Sequence, residues 1–142
     1  MKKVIAAFVV LGFVFLTACT KKASTVPVND PPVDSAAALL YKGNFSNGPH
    51  GTTSGTAAIY NSNGKWQLRL EGFMVSNGPD LKVYLSKEQQ PIHFIKLGDL
   101  KATSGNQAYD ISGMPDIMEY KYALIHCEQY NHLFGYTVLV MQ

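Results

Sequence analysis

The sequence predicts an all-β fold, an antiparallel Greek-key-like sandwich of about seven or eight short strands in a single domain. Three observations lead there. Apolar residues recur with a period of two: in KWQLRLEGF (65–73), Trp66, Leu68 and Leu70 alternate with Gln67, Arg69 and Glu71, as in a half-buried strand. Turn residues punctuate such runs at Asn47-Gly48, Asn63-Gly64 and Asn77-Gly78-Pro79. No long stretch carries helical periodicity.

Taken in order, the first strand candidate is GTAAIY (55–60), joined to KWQLRLEGF through NSNG (61–64). Asn63-Gly64 marks a hairpin there, because a type I′ turn needs positive φ at both central residues. LKVYLS (81–86) repeats the alternation with Leu81, Val83 and Leu85. HFIKLG (93–98), QAYDI (107–111), KYALIHC (121–127) and LFGYTVLVM (133–141) are rich in β-branched and aromatic residues. Short helical turns are expected at 35–40 and 115–119. Asp116 and Tyr120, four apart and leading into a strand, suggest a tyrosine corner, which favours a sandwich over a barrel.

The chain opens on MKKVIAAFVVLGFVFLTAC. Lys2 and Lys3 precede an uncharged run too short to span a bilayer, which needs about 20 apolar residues, but suited to an export signal. Its end, Leu16-Thr17-Ala18-Cys19, resembles the bacterial lipobox, at which cleavage leaves a diacylated and N-acylated cysteine. The expected organisation is therefore a signal peptide over 1–18, a lipidated Cys19 with a Pro/Ser/Thr/Asp-rich flexible tether over 19–38, and the β-domain over 39–142. The partner implied at that end is a lipid bilayer, and the location is the bacterial cell envelope, at the outer membrane or the periplasmic face.

Removing Lys2 and Lys3 takes 12 Lys+Arg down to 10 against 10 Asp+Glu. The mature chain is formally neutral, and nothing in it suggests nucleic acid. Lipidation also consumes one of two cysteines, leaving Cys127 a lone thiol in an oxidising compartment.

Four histidines and Cys127 are the candidate site residues. Strand alternation turns His126 and Glu128 away from the face that carries Cys127, so on the residues alone Cys127 reads as a buried core thiol. Cys127 and His132 are five apart, a copper-like spacing, with His50 or His93 as second imidazole. Met141 lies nine residues beyond His132, about 30 Å along a regular strand, so it is out of reach as an axial ligand, and Met74 or Met118 would have to substitute. Haem has no Cys-x-x-Cys-His attachment motif. His50 sits in the Gly-rich loop SNGPHGTTSG (46–55) and ranks second to Cys127; His126, His132 and His93 follow as strand histidines. GTTSG (51–55) and Ser62-Asn63-Gly64-Lys65 are chance matches to hydrolase motifs, since neither precedes or occupies a helix. No acid, base and nucleophile constellation points to a catalytic enzyme.

Four stretches in one order resemble a family: Gly43-x-Phe45 with His50 and Ser54-Gly55 downstream, NGPDLKVYLS (77–86), LGDLKATSGNQAYDI (97–111) and ALIHCEQYNHLFGYTVL (123–139). They are similar to the DM-thirteen, or electron-transfer DM, domain. The resemblance implies a small extracytoplasmic β-domain whose cysteine, here Cys127, serves redox chemistry as a thiol or as ligand to a group such as haem, in exchange with an envelope redox partner. The chain departs from the family pattern in carrying His126 where a large aromatic is common and His132 where an apolar residue is common. The expectation is thus a membrane-anchored lipoprotein with a redox domain centred on Cys127. The alternative is a cofactor-free sandwich that binds a protein, glycan or small ligand through its 8 Tyr and 7 Phe.

Overall fold

The structure, a computed structural model, describes residues 21–142. The signal peptide and Cys19 lie outside the described residues. Among those described, no helix is long and apolar enough to cross a membrane.

Eleven strands form two packed sheets: β1 (Val28–Asn29), β2 (Ala38–Asn44), β3 (Ser46–Asn47), β4 (Thr53–Ser62), β5 (Lys65–Val75), β6 (Leu81–Ser86), β7 (Phe94–Asp99), β8 (Ser104–Ile111), β9 (Tyr122–Cys127), β10 (His132–Val138) and β11 (Val140–Met141). The larger sheet has the order β1-β8-β5-β4-β2-β11, the smaller β3-β10-β9-β6-β7. Every pairing within the sheets is antiparallel except β1 with β8. The all-β sandwich is as the alternation predicted.

Between the sheets lie Ala57 and Ile59 of β4, Leu68, Leu70 and Phe73 of β5 and Tyr109 and Ile111 of β8, facing Leu81, Val83 and Leu85 of β6, Ala123, Ile125 and Cys127 of β9 and Phe134 of β10. The parity of β5 changes midway, from Leu68 and Leu70 to Phe73 and Val75. A bulge between Leu70 and Phe73, with Gly72 at φ 52°, admits the extra residue and turns both halves of the strand inward. At the hairpin, Asn63 and Gly64 have φ of 51° and 80°, the twist a type I′ turn imposes.

Three local expectations differ. Residues 35–40 are a turn followed by β2, not a helix: Ala and Leu favour helix, but pairing with β4 along Ala38–Asn44 outweighs that preference. Residues 115–119 make a turn closed by Tyr120 N–H donating to Asp116 O at 2.9 Å. Tyr120 packs against the core beneath the Lys87 ammonium, 5.1 Å from its ring centroid, and its hydroxyl makes no bond to upstream backbone among the described residues, so the corner is not formed.

The stretch expected as a free tether lies along the larger sheet. Ala23 is buried, Ser24 exchanges backbone bonds with Lys101 and Thr103, and β1 pairs with β8. Asp30 then accepts from Lys101 Nζ at 2.6 Å and from Ala108 N–H at 2.7 Å. Burial would raise the Asp30 carboxyl, but these bonds outweigh it and hold it below the usual range. The prolines that make this segment extended suit it to edge pairing as well as to a spacer role.

Candidate functional site

Cys127 ends β9 with no exposed surface, its sulfur directed into the inter-sheet core, and it is the free cysteine of the described residues. Its ladder partners are Leu81 on β6 and His132 on β10. Residues directly opposite in antiparallel strands share a face, so the His132 imidazole stands beside Cys127 on the core-facing side, at the rim of the sheet. The loop before β4 folds back over that rim through Gly48 N–H to Phe134 O and His50 N–H to Leu133 O, at 2.8 and 3.2 Å. This stacks the His50 ring on His132, centroids 3.7 Å apart and planes within 6°. His50 is exposed and His132 half-buried, so the pair leads from the rim beside the thiol to solvent.

His126 lies behind, on the outer face with Lys82, Tyr84 and Leu124. It is 3% exposed, and its Nε2 faces Asn131 Oδ1 at 3.1 Å, so Nε2 carries the proton. Among the described residues, Nδ1 is the buried side-chain polar atom left without a partner. Burial pushes the imidazole below its ordinary value, against the Asn131 bond and the Glu128 charge, with His132 adding to the depression. The unfolded chain therefore protonates first. Stability from neutral His126 is full above its ordinary value of 6.5 and is lost as pH falls toward the folded-state value. Denaturant titrations at pH 7.5 and 5 should show this loss in the wild type and its reduction in His126→Phe; equal pH slopes would contradict the assignment.

Around it, Tyr84 stacks on Phe94 with centroids 4.4 Å apart and donates its hydroxyl to Glu128 Oε1. Burial and the neighbouring carboxylate keep Tyr84 a phenol far above its usual range. Lys96 Nζ also reaches both Glu128 oxygens, at 2.9 and 3.1 Å. One register position away, buried Lys82 meets Asp80 and Asp99, each at 2.6 Å. Burial disfavours its ammonium, but the two carboxylates outweigh that and raise it.

The predicted candidates thus divide. Cys127, His132 and His50 come together, His126 stands on the opposite face of β9, and His93 is elsewhere, its Nδ1 2.8 Å from Glu88 Oε1 on the surface. Met141 belongs to the other sheet, opposite Tyr41, and Met74 and Met118 are exposed. Sequence reasoning missed Tyr84, Glu128 and the Lys82 cluster. A signal for the cluster was there, since Asp80-x-Lys82 enters a strand whose other residues are Leu, Val, Tyr and Ser.

These residues do not fit a copper or haem centre. Imidazole lone pairs lie in the ring plane, and two rings stacked 3.7 Å apart hold theirs in parallel planes that do not converge on one ion at bonds of about 2 Å. Among the described residues no group of three or more His, Cys, Asp or Glu is placed to hold a metal. Haem ligation needs an open apolar slot at the ligand, and the Cys127 side chain is packed into the core. What the arrangement offers is a shielded thiol with imidazoles at its rim.

A scan against family models matches residues 44–139 to the family described as electron transfer DM13. The chain belongs to that family. No curated protein matches it, and no solved structure does. The match spans β3 to the start of the β10–β11 connection, so the family's domain contains Cys127 and all four histidines.

Proposed function

We propose that the protein is a membrane-anchored lipoprotein of the bacterial cell envelope whose DM13 domain passes single electrons through Cys127. The observation that carries this reading is the burial of a lone thiol, in an electron-transfer family, beside a histidine pair that reaches solvent. Thiol–disulfide exchange needs in-line access of a second sulfur, which a covered thiol denies. Electron transfer needs no such contact: the Cys127 thiol gives one electron to a one-electron acceptor of the envelope and its proton to a base. The resulting thiyl radical takes one electron from a one-electron donor of the envelope and the returned proton to restore the thiol. His132, across the ladder on the same face, is the imidazole suited to take that proton. Replacing Cys127 by Ser should remove the redox response and leave the folded spectrum; an unchanged response would count against the reading.

Anchoring rests on the lipobox-like residues ending at Cys19. Several acyl chains on one residue give stable attachment, each buried methylene contributing about 0.8 kcal/mol. Labelling of cells with a palmitate analogue should mark the wild-type chain and not Cys19→Ser; label retained in the variant would refute lipidation there.

A further inference from the structure

We propose a second site, unrelated to Cys127: a cleft on the outer face of the larger sheet that binds the phosphate or carboxylate of a small organic anion through Arg69. The cleft, about 1110 Å³ in all, takes in residues of both faces of the sheet: Tyr60, Gln67, Arg69 and Asp110 line its outer part beneath the segment from Asp30 to Asp34, and Trp66 and Tyr109 line its core-facing part. Arg69 lines it and is 5% exposed.

The charge state of Arg69 sets it apart. A guanidinium stays protonated in any protein, and a buried charge is ordinarily paired. Lys82, equally buried, has two carboxylates at 2.6 Å. Arg69 has no carboxylate within ion-pair distance among the described residues. It donates only to Gln67 Oε1 at 3.3 Å and to the Asp30 carbonyl at 3.4 Å, both long bonds. The acids that line the cleft or adjoin it have other partners: Asp30 has Lys101 and the Ala108 N–H, Asp34 the Ala36 N–H, Asp99 Lys82, Asp110 Gln67 Nε2 and Glu71 the Tyr60 hydroxyl. Three of its five N–H donors are uncommitted.

The sheet leaves room for a ligand there. Arg69 is flanked in register by Ala58 on β4 and Ala108 on β8, methyl side chains on either side of the long one. The next row is Tyr60, Gln67 and Asp110, an aromatic ring with polar groups at one step's distance. A fork of free N–H donors matches the paired oxygens of a phosphate or carboxylate, and the adjoining Tyr60 ring suits a ring or sugar attached to it.

Trp66, the single tryptophan, packs against the core and lines the core-facing part of the same cleft, where it reports on filling of the site from the opposite face of β5. The full chain in detergent is titrated with phenyl phosphate, benzoate and inorganic phosphate, and separately with phosphatidylglycerol vesicles. Saturable change in Trp66 emission is expected, together with a shift of the Arg69 Nε–H resonance, and Arg69→Gln should weaken binding about tenfold or more. Response to the soluble anions assigns a free ligand; response to the vesicles alone assigns a lipid headgroup. Absence of any saturable response, or equal affinity in Arg69→Gln, overturns the proposal. Should Arg69→Gln fail to fold, the wild-type resonance decides: an Arg69 Nε–H that no probe moves overturns it as well.

Discussion

Replacement of Lys82 by methionine is expected to cost about 3–5 kcal/mol of unfolding free energy, the usual cost of removing one partner from a buried ion cluster. The Lys82 side chain is 6% exposed and holds those of Asp80, at 12%, and Asp99, at 35%. Methionine fills similar volume, so the loss comes from the carboxylates left without a counter-charge and not from a cavity. The Asp80 main chain is fixed, its carbonyl accepting the Glu128 N–H at 3.0 Å and tying the start of β6 to the end of β9, so the carboxylate can reach water only by side-chain rotation. Urea denaturation of Lys82→Met, and of the triple variant that also carries Asp80→Asn and Asp99→Asn, checks this. The triple variant should recover part of the loss, since the penalty lies in the unpaired charges. A Lys82→Met loss below about 1 kcal/mol, the range of an exposed ion pair, would show that the cluster is solvated.

The second large effect is expected at Gly135. A Cβ placed there would lie 2.2 Å from Thr53 Oγ1 and 2.4 Å from Thr53 Cβ, far inside contact distance. Thr53 is itself fixed, 5% exposed and donating its hydroxyl to Phe134 O at 2.9 Å. Gly135→Ala must therefore push β4 and β10 apart where Thr53 crosses Gly135. Overpacking of this kind costs about 1–3 kcal/mol, and the upper end is expected because the obstructing atoms include a Cβ that no rotamer change moves. Thr53→Gly in the same chain should restore part of the stability. A double-mutant cycle from thermal unfolding measures that coupling, and additive losses would place the strain elsewhere.

Much of the fold was legible because its determinants are local. Alternation at Trp66, Leu68 and Leu70 identified β5 and its inward face, and Asn63-Gly64 identified the hairpin, whose φ values follow from residue type. The failures arose where distant pairing decides. The run SAAALL (35–40) has helix-favouring residues, and only its position beside β4 makes Ala38–Asn44 a strand. Residues 23–30 carry no apolar alternation and enter the sheet through backbone bonds, which leave no trace in side-chain pattern.

The site divides in the same way. That Cys127 faces inward and His126 outward follows from strand period alone. That His50 lands on His132 does not, because 81 residues separate the Thr53 hydroxyl from the Phe134 carbonyl that accepts it, a contact that helps hold the loop against β10. Arg69 was visible as the outward residue between Leu68 and Leu70, where a solvated charge is the ordinary expectation. Its burial depends on the segment from Asp30 to Asp34, which crosses it from outside the period of the strand.

Protein-film voltammetry of the full chain, set beside Cys127→Ser, tests the redox assignment most directly. A one-electron wave is expected in the wild type and is expected to be absent from a Cys127→Ser protein with the same far-ultraviolet spectrum. A wave that persists in Cys127→Ser, or a folded wild type that gives none, would contradict the assignment.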